Sequence, residues 1–196
     1  LHCESTPLRT IADAVGTPSY IYSRAALVGN YRAYDAAVAS HPHMIAYAMK
    51  ANANLGVVAA LAREGAGAEV FSGGELFRAL KAGVQPKKII FAGPGKTREE
   101  MRDALKADIL MFNVESPAEL ALLDRVAQEL GTRAPVALRV NPDVDPQTHP
   151  YISTGLRSAK FGIPIAQAPG EYAKAHRLAG IEVVGVHMHI GSQLTK

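Results

Sequence analysis

The feature that most constrains the fold is an even succession of short, mostly apolar runs, each followed by a helical stretch. Four successive runs end at Lys50, Ser72, Gly93 and Val114, which lie 22, 21 and 21 residues apart. Runs of this kind are expected for parallel strands that are buried on both faces. Units this short and regular favour a (β/α)8 TIM barrel over a doubly wound sheet.

Seven runs predict strands. They are residues 19–23, 44–49, 68–72, 88–93, 109–114, 136–141 and 183–190. Counted from 44–49, about six of the eight barrel strands are present, and a typical barrel has about 250 residues. The 196-residue chain therefore predicts an N-terminal lead-in (1–23) and an incomplete α/β barrel domain (24–196) that is truncated at its carboxyl end.

The predicted helices carry boundary signals. Thr97 with Glu100, and Ser116 with Glu119, fit capping boxes, and Pro117 suits the first position of a helix. Four glycines stand where helix C-caps are expected, at positions 16, 65, 131 and 180.

Composition narrows the functional class. The chain is 48% hydrophobic, which is enough for a sizeable core. The net charge is only +3 and the basic residues are scattered, so no nucleic-acid partner is predicted. No apolar run reaches the length of a membrane span. The single cysteine, Cys3, excludes an internal disulfide and fits a reducing compartment, so we expect a cytoplasmic protein without a membrane partner.

Polar residues follow several of the predicted strands. The carboxyl ends of parallel strands meet at one edge, so the following residues would converge: Lys50, Glu69 or Ser72, Asn113, Arg139 or Asn141, and His189 with the rest of 189–192. An amine in a partly desolvated cup near cations loses proton affinity and becomes a nucleophile. It can then form a Schiff base with an aldehyde cofactor or a carbonyl substrate.

The end of the chain supplies two further groups. The ring of His189 could stack on an aromatic ring, and the amides after Gly191 with the Ser192 hydroxyl could hold a phosphate. An amine, a stacking imidazole and a phosphate nest together suit pyridoxal 5'-phosphate.

Three long segments carry a family resemblance. They are "YAMKANANLGVVAALAREGAGAEVFSGGEL", "RVNPDVDPQTHPYISTGLRSAKFGI" and "GVHMHIGSQ". They resemble the diaminopimelate decarboxylase family, pyridoxal-phosphate enzymes with the alanine-racemase-like fold. The resemblance implies that Lys50 carries the cofactor covalently, that His189 lies against its ring and that Ser192 contacts its phosphate. It also implies cofactor contacts from Glu69, Ser72, Arg139 and Gly191.

The resemblance further implies an activity and an assembly. The implied reaction converts meso-2,6-diaminopimelate to L-lysine and carbon dioxide, and the implied enzyme is a homodimer with a C-terminal β domain. Glu69 stands where related enzymes usually have aspartate. The family's later glycine-rich phosphate loop and its Glu-Pro-Gly-Arg segment are absent from these 196 residues. We therefore expect these residues alone to be inactive.

Other functions remain open at this stage. The nearest is decarboxylation of arginine or ornithine. His187 and His189 share one face of a strand, a spacing that can bind zinc in a metal-dependent barrel hydrolase, although no complete ligand set is evident. A non-catalytic cofactor-binding barrel is a third class. Residues 91–97, "FAGPGKT", imitate a phosphate loop but have Ile90 where that motif requires glycine, so Thr97 is better explained as a helix cap.

Overall fold

The computed structural model describes residues 1–144 and 161–191. The chain begins with an antiparallel pair, β1 (His2–Cys3) and β2 (Thr6–Pro7), followed by α1 (Leu8–Val15) and α2 (Arg24–Val38). The strand predicted at 19–23 is wrong, because these residues pair with no strand and Tyr20 is 91% exposed. Ser23 caps α2 instead, and its hydroxyl oxygen accepts a hydrogen bond from the Ala26 N–H.

The main sheet is parallel throughout and contains the six predicted barrel strands. These are β3 (Ala46–Ala48), β4 (Gly67–Val70), β5 (Ile89–Phe91), β6 (Met111–Val114), β7 (Ala134–Asn141) and β9 (Ile181–His187). They are hydrogen-bonded in the order β3-β4-β5-β6-β7-β9, and a short β8 (Ile163–Pro164) pairs with the end of β7. The prediction of about six parallel strands from an incomplete barrel is confirmed.

Helices alternate with these strands. They are α3 (Leu55–Arg63), α4 (Gly73–Lys81), α5 (Arg98–Lys106), α6 (Pro117–Glu129) and α7 (Ala168–Ala175), with 3-10 turns at Pro86–Lys88 and Ile165–Gln167. The core lies between sheet and helices, where Phe91 and Phe112 stack with ring centroids 6.1 Å apart and Met101 and Leu123 are fully buried. The helices thus pack against one face of the sheet and stabilise it.

The predicted capping signals are largely confirmed. Thr97 and Glu100 form a complete capping box. Ser116 caps α6 through the Glu119 N–H, but the Glu119 carboxylate accepts from the N–H of Glu115 rather than from that of Ser116. The other oxygen of that carboxylate pairs with a buried lysine.

Gly180 is not a helix C-cap, which corrects one of the four predicted glycines. Helix α7 ends at Ala175, and the N–H of Gly180 donates to Asp124 Oδ1 at 2.8 Å. A Cβ at position 180 would lie 2.5 Å from the carbonyl oxygen of Asp124, so close approach explains this glycine. The other three follow α1, α3 and α6 with positive φ angles, as predicted.

One carboxylate stabilises the starts of two neighbouring helices. Glu100 accepts from the Gly73 N–H at 2.7 Å and from the Thr97 N–H at 2.9 Å. Glu100→Ala should therefore lower the free energy of unfolding by about 1–3 kcal/mol, since each lost cap costs roughly 1 kcal/mol. Denaturant titration measures this loss, with the exposed neighbour Glu99→Ala as control. Equal losses for both variants would contradict the double-cap interpretation.

Candidate active site

Lys50 lies in the turn that directly follows β3, at the carboxyl edge of the sheet. The preceding residue, Met49, is fully buried, and its N–H donates to the carbonyl of Glu69 at 2.9 Å. The Lys50 Nζ lies 4.7 Å from the ring centroid of Phe71, a cation–π distance. The apolar strand and its anchored end therefore place the amine at a defined position on the rim.

Strand register explains why the other polar side chains share the face of Lys50. Ala48 pairs with Glu69, and Arg139 pairs with His187. Residues paired in register point to the same side of a sheet, and alternate residues of a strand do so as well. Lys50 lies in the turn just beyond Ala48, and its side chain lines the same cavity as Glu69.

These side chains line a cavity of about 270 Å³. Among its lining residues are Lys50, Glu69, Phe71, Arg139, His187 and His189. The structure thus brings together four of the residues predicted to form the site, namely Lys50, Glu69, Arg139 and His189. A larger cavity of about 420 Å³ adjoins it at Pro94, Glu115 and Phe161 but contains no Lys50. The smaller cavity is the candidate site because it holds the amine.

Two of the other predicted residues, Ser72 and Gly191, do not line this cavity. The Ser72 hydroxyl accepts from the Glu75 N–H and caps α4, and Ser72 is not among the residues lining the cavity. Gly191 follows His189 by two residues and does not line the cavity either. Ser192 lies outside the described residues. The roles of these three residues toward a cofactor stay predictions.

A buried ion pair that the sequence reasoning missed forms part of the cavity wall. Both carboxylate oxygens of Glu115 lie 3.0 Å from one terminal nitrogen of Arg139. The side chains are only 3% and 10% exposed. Glu115 follows Asn113 by two positions beyond β6, and this alternation was the one signal that could have placed it on the cavity side.

Burial sets the charge state of the titratable groups. Burial raises the pKa of Glu69, although the charges of Lys50 and Arg139 oppose the shift. Burial, and then Arg139 and Lys50, lower the pKa of His189. Burial, helped by Arg139 and His189, lowers the pKa of His187 to about 4. Both imidazoles are therefore neutral at pH 7.

The donor set fits pyridoxal phosphate better than a metal. The cavity offers a primary amine for a carbonyl, a neutral imidazole whose face can stack, and a guanidinium. Its volume is close to the lower end, about 300 Å³, of typical small-molecule sites. Within residues 1–144 and 161–191, no three histidine, cysteine or acidic side chains cluster as metal ligands.

The fold and the site define a parallel β/α protein with a lysine, Lys50, in a cavity at the carboxyl edge of its sheet. A family model described as "Pyridoxal-dependent decarboxylase, pyridoxal binding domain" matches residues 24–196. The chain belongs to this family. That membership replaces the metal-dependent hydrolase as an interpretation of His187 and His189.

Individual relatives agree with the family match. The chain is 57% identical to a diaminopimelate decarboxylase of Pseudomonas aeruginosa over 196 residues, which cover all of this chain and 47% of the relative. It is similar to the crystal structure of diaminopimelate decarboxylase from Helicobacter pylori complexed with L-lysine (TM-score 0.92, 42% identity, 97% of this chain and 48% of that one). The enzyme from M. jannaschii in complex with L-lysine is also similar (TM-score 0.90, 43% identity, 98% and 46%).

The chain spans about half the length of the curated relatives it matches. Among the described residues, no helix has both the length and the apolar character needed to cross a membrane.

Proposed function

We propose that this chain is the cofactor-binding part of an enzyme that decarboxylates meso-2,6-diaminopimelate to L-lysine and carbon dioxide, the last step of lysine biosynthesis. The observation that carries the proposal is the placement of Lys50 with Glu69, Arg139 and His189 around one cavity. The relatives named diaminopimelate decarboxylase, and solved structures of such enzymes in complex with L-lysine, support the choice of substrate. In this proposal residues 24–196 form the pyridoxal-phosphate domain and residues 1–23 lead into it.

The residues of the cavity have distinct roles in this proposal. Lys50 would hold pyridoxal phosphate covalently, His189 would lie against its ring, and Arg139 would provide a fixed positive charge at the wall. When bound, the cofactor withdraws electrons from the bond to the departing carboxylate. Phe71 packs beside the Lys50 amine and limits its directions, since the Nζ lies 4.7 Å from the ring centroid.

We assign Glu69 as the base that accepts a proton from the Lys50 amine. The Lys50 Nζ attacks a carbonyl only as a neutral amine, so a nearby base must accept its proton. Burial raises the pKa of Glu69 and makes this carboxyl group a better proton acceptor than an exposed one. The charge of Lys50 acts on the same carboxyl group, which places the donor and the acceptor within electrostatic reach.

The assembly and the location are also proposals. We assign Ser72, Gly191 and Ser192 to the cofactor as the resemblance implies. The functional unit is proposed to be a cytoplasmic homodimer that takes a small amino acid and neither nucleic acid nor membrane. The single cysteine, Cys3, is compatible with a reducing compartment.

The experiment uses the full-length protein with meso-diaminopimelate, arginine and ornithine as competing substrates. L-lysine and carbon dioxide should form from diaminopimelate at the highest kcat/KM. Removal of pyridoxal phosphate should abolish the reaction and its return should restore it, while a chelator should leave the rate unchanged. Preference for arginine or ornithine would refute the substrate assignment. Activity that follows zinc content would refute the cofactor assignment.

A further inference from the structure

A second lysine, Lys96, is buried beside the cavity and has no part in the proposed chemistry. Its side chain is only 1% exposed. Its Nζ lies 2.6 Å from the carbonyl oxygen of Gly93, 2.8 Å from that of Asn113 and 2.7 Å from Glu119 Oε1. An ammonium group has three N–H donors, so every donor has an acceptor. A buried ammonium group with all three donors paired stays in one position, because moving away would leave a buried charge without partners.

The partners of Lys96 lie on both sides of Glu115 along the chain. Asn113 precedes Glu115 by two residues, and its carbonyl accepts directly from Lys96. Glu119 follows at the first turn of α6, and its second carboxylate oxygen accepts from the Glu115 N–H at 3.4 Å. Lys96 and Glu119 together therefore fix the main chain from which the Glu115 side chain projects.

Glu115 links this arrangement to the cavity. Its two carboxylate oxygens hold one terminal nitrogen of Arg139, and both residues line the cavity that contains Lys50. Gly93, which accepts from Lys96 through its carbonyl, lines the same cavity. A continuous set of polar contacts thus runs from Lys96 to the guanidinium of Arg139.

We propose that Lys96 is a positioning residue that fixes Glu115, and through it Arg139, on the wall of the cavity beside Lys50. The inference rests on the proposed function, because the position of Arg139 matters to pyridoxal phosphate only if this cavity binds it. The alternative is a purely structural lysine that joins the 93–96 loop to α6. The two roles differ in whether Lys96 acts through Arg139.

A double-mutant cycle on cofactor affinity separates these roles. The dissociation constant for pyridoxal phosphate is measured by absorbance titration of the full-length apoprotein for wild type, Lys96→Met, Arg139→Met and the double variant. Lys96→Met should weaken binding about tenfold, within the usual range for coupled neighbours. In the Arg139→Met background, Lys96→Met should cause no further loss. A structural lysine would instead give losses that multiply in the double variant.

Lys88→Met is the matched control. Lys88 is partly buried and, like Lys96, donates to a carbonyl oxygen, that of Gly65 at 2.9 Å, but it precedes β5 at the opposite edge of the sheet. Its replacement should leave the dissociation constant unchanged. If Lys96→Met does not fold, Glu119→Gln takes its place in the cycle and should weaken binding several-fold by the same route.

The outcomes distinguish this inference from the proposed function. Failure of the wild-type protein to bind pyridoxal phosphate would overturn both. Normal wild-type binding with independent losses in the cycle, or with no loss for Lys96→Met, would overturn the positioning role alone. Unchanged affinity in Arg139→Met would do the same, because Lys96 would then have nothing to act through.

Discussion

Lys50→Ala in the full-length protein is expected to abolish covalent capture of pyridoxal phosphate and to lower turnover by about a thousandfold or more. The covalent bond requires an amine at this position, and alanine supplies none. Borohydride reduction of the wild-type protein should fix the cofactor irreversibly, and peptide mapping should find it on Lys50. The same treatment of Lys50→Ala should leave the protein unlabelled.

Two features of this experiment keep it specific. Lys81→Ala removes an exposed lysine from the last turn of α4 and should retain both the label and the activity. The buried Lys96 is a rival amine, because it lines the cavity that adjoins the one containing Lys50. A wild-type label on Lys96 instead of Lys50 would refute the assignment of the site.

The order of strands and helices was predictable because parallel strands leave a strong pattern. In each of the strands 134–141 and 67–70 all residues but one are buried, so the strands are easily recognised from the sequence. The segment 19–23, SYIYS, contains aromatic and β-branched residues of the kind that favour strands, but it makes no strand. A strand requires a hydrogen-bonded partner, and single-sequence composition carries no information about partners.

Residues on the cavity face could be predicted from the sequence where they lie at or just after the carboxyl end of a strand. Lys50 comes just after an apolar strand, and Arg139 lies near the end of another. Because the carboxyl ends of parallel strands meet at one edge of a sheet, this was sufficient to predict that the two side chains lie together. Glu115 and Lys96 were missed because their roles depend on partners 24 and 23 residues away, Arg139 and Glu119. Ser72 is the opposite case, because its contact is local. Its spacing to Glu75 is that of a helix cap, and the Ser72 hydroxyl does accept a hydrogen bond from the Glu75 N–H.

The buried pair of Glu115 and Arg139 gives the second large expected effect. Glu115→Ala should lower the free energy of unfolding by roughly 3–5 kcal/mol, because it leaves the guanidinium of Arg139 buried without its counter-charge. Conversion of both residues to apolar side chains, Glu115→Leu with Arg139→Met, should cost much less, since no unpaired charge remains. Denaturant unfolding of the full-length protein measures both changes.

The exposed pair of Arg98 and Glu129 provides the comparison. Its side chains are 37% and 45% exposed, and such surface pairs contribute about 0–1 kcal/mol. Glu129→Ala should therefore have a small effect in the same assay. If Glu115→Ala proved as mild as Glu129→Ala, or if the apolar double variant lost as much stability as Glu115→Ala alone, the cost would not come from the stranded charge of Arg139. The electrostatic account of this wall of the cavity would then be wrong, because it attributes most of the loss in Glu115→Ala to a buried charge without a partner.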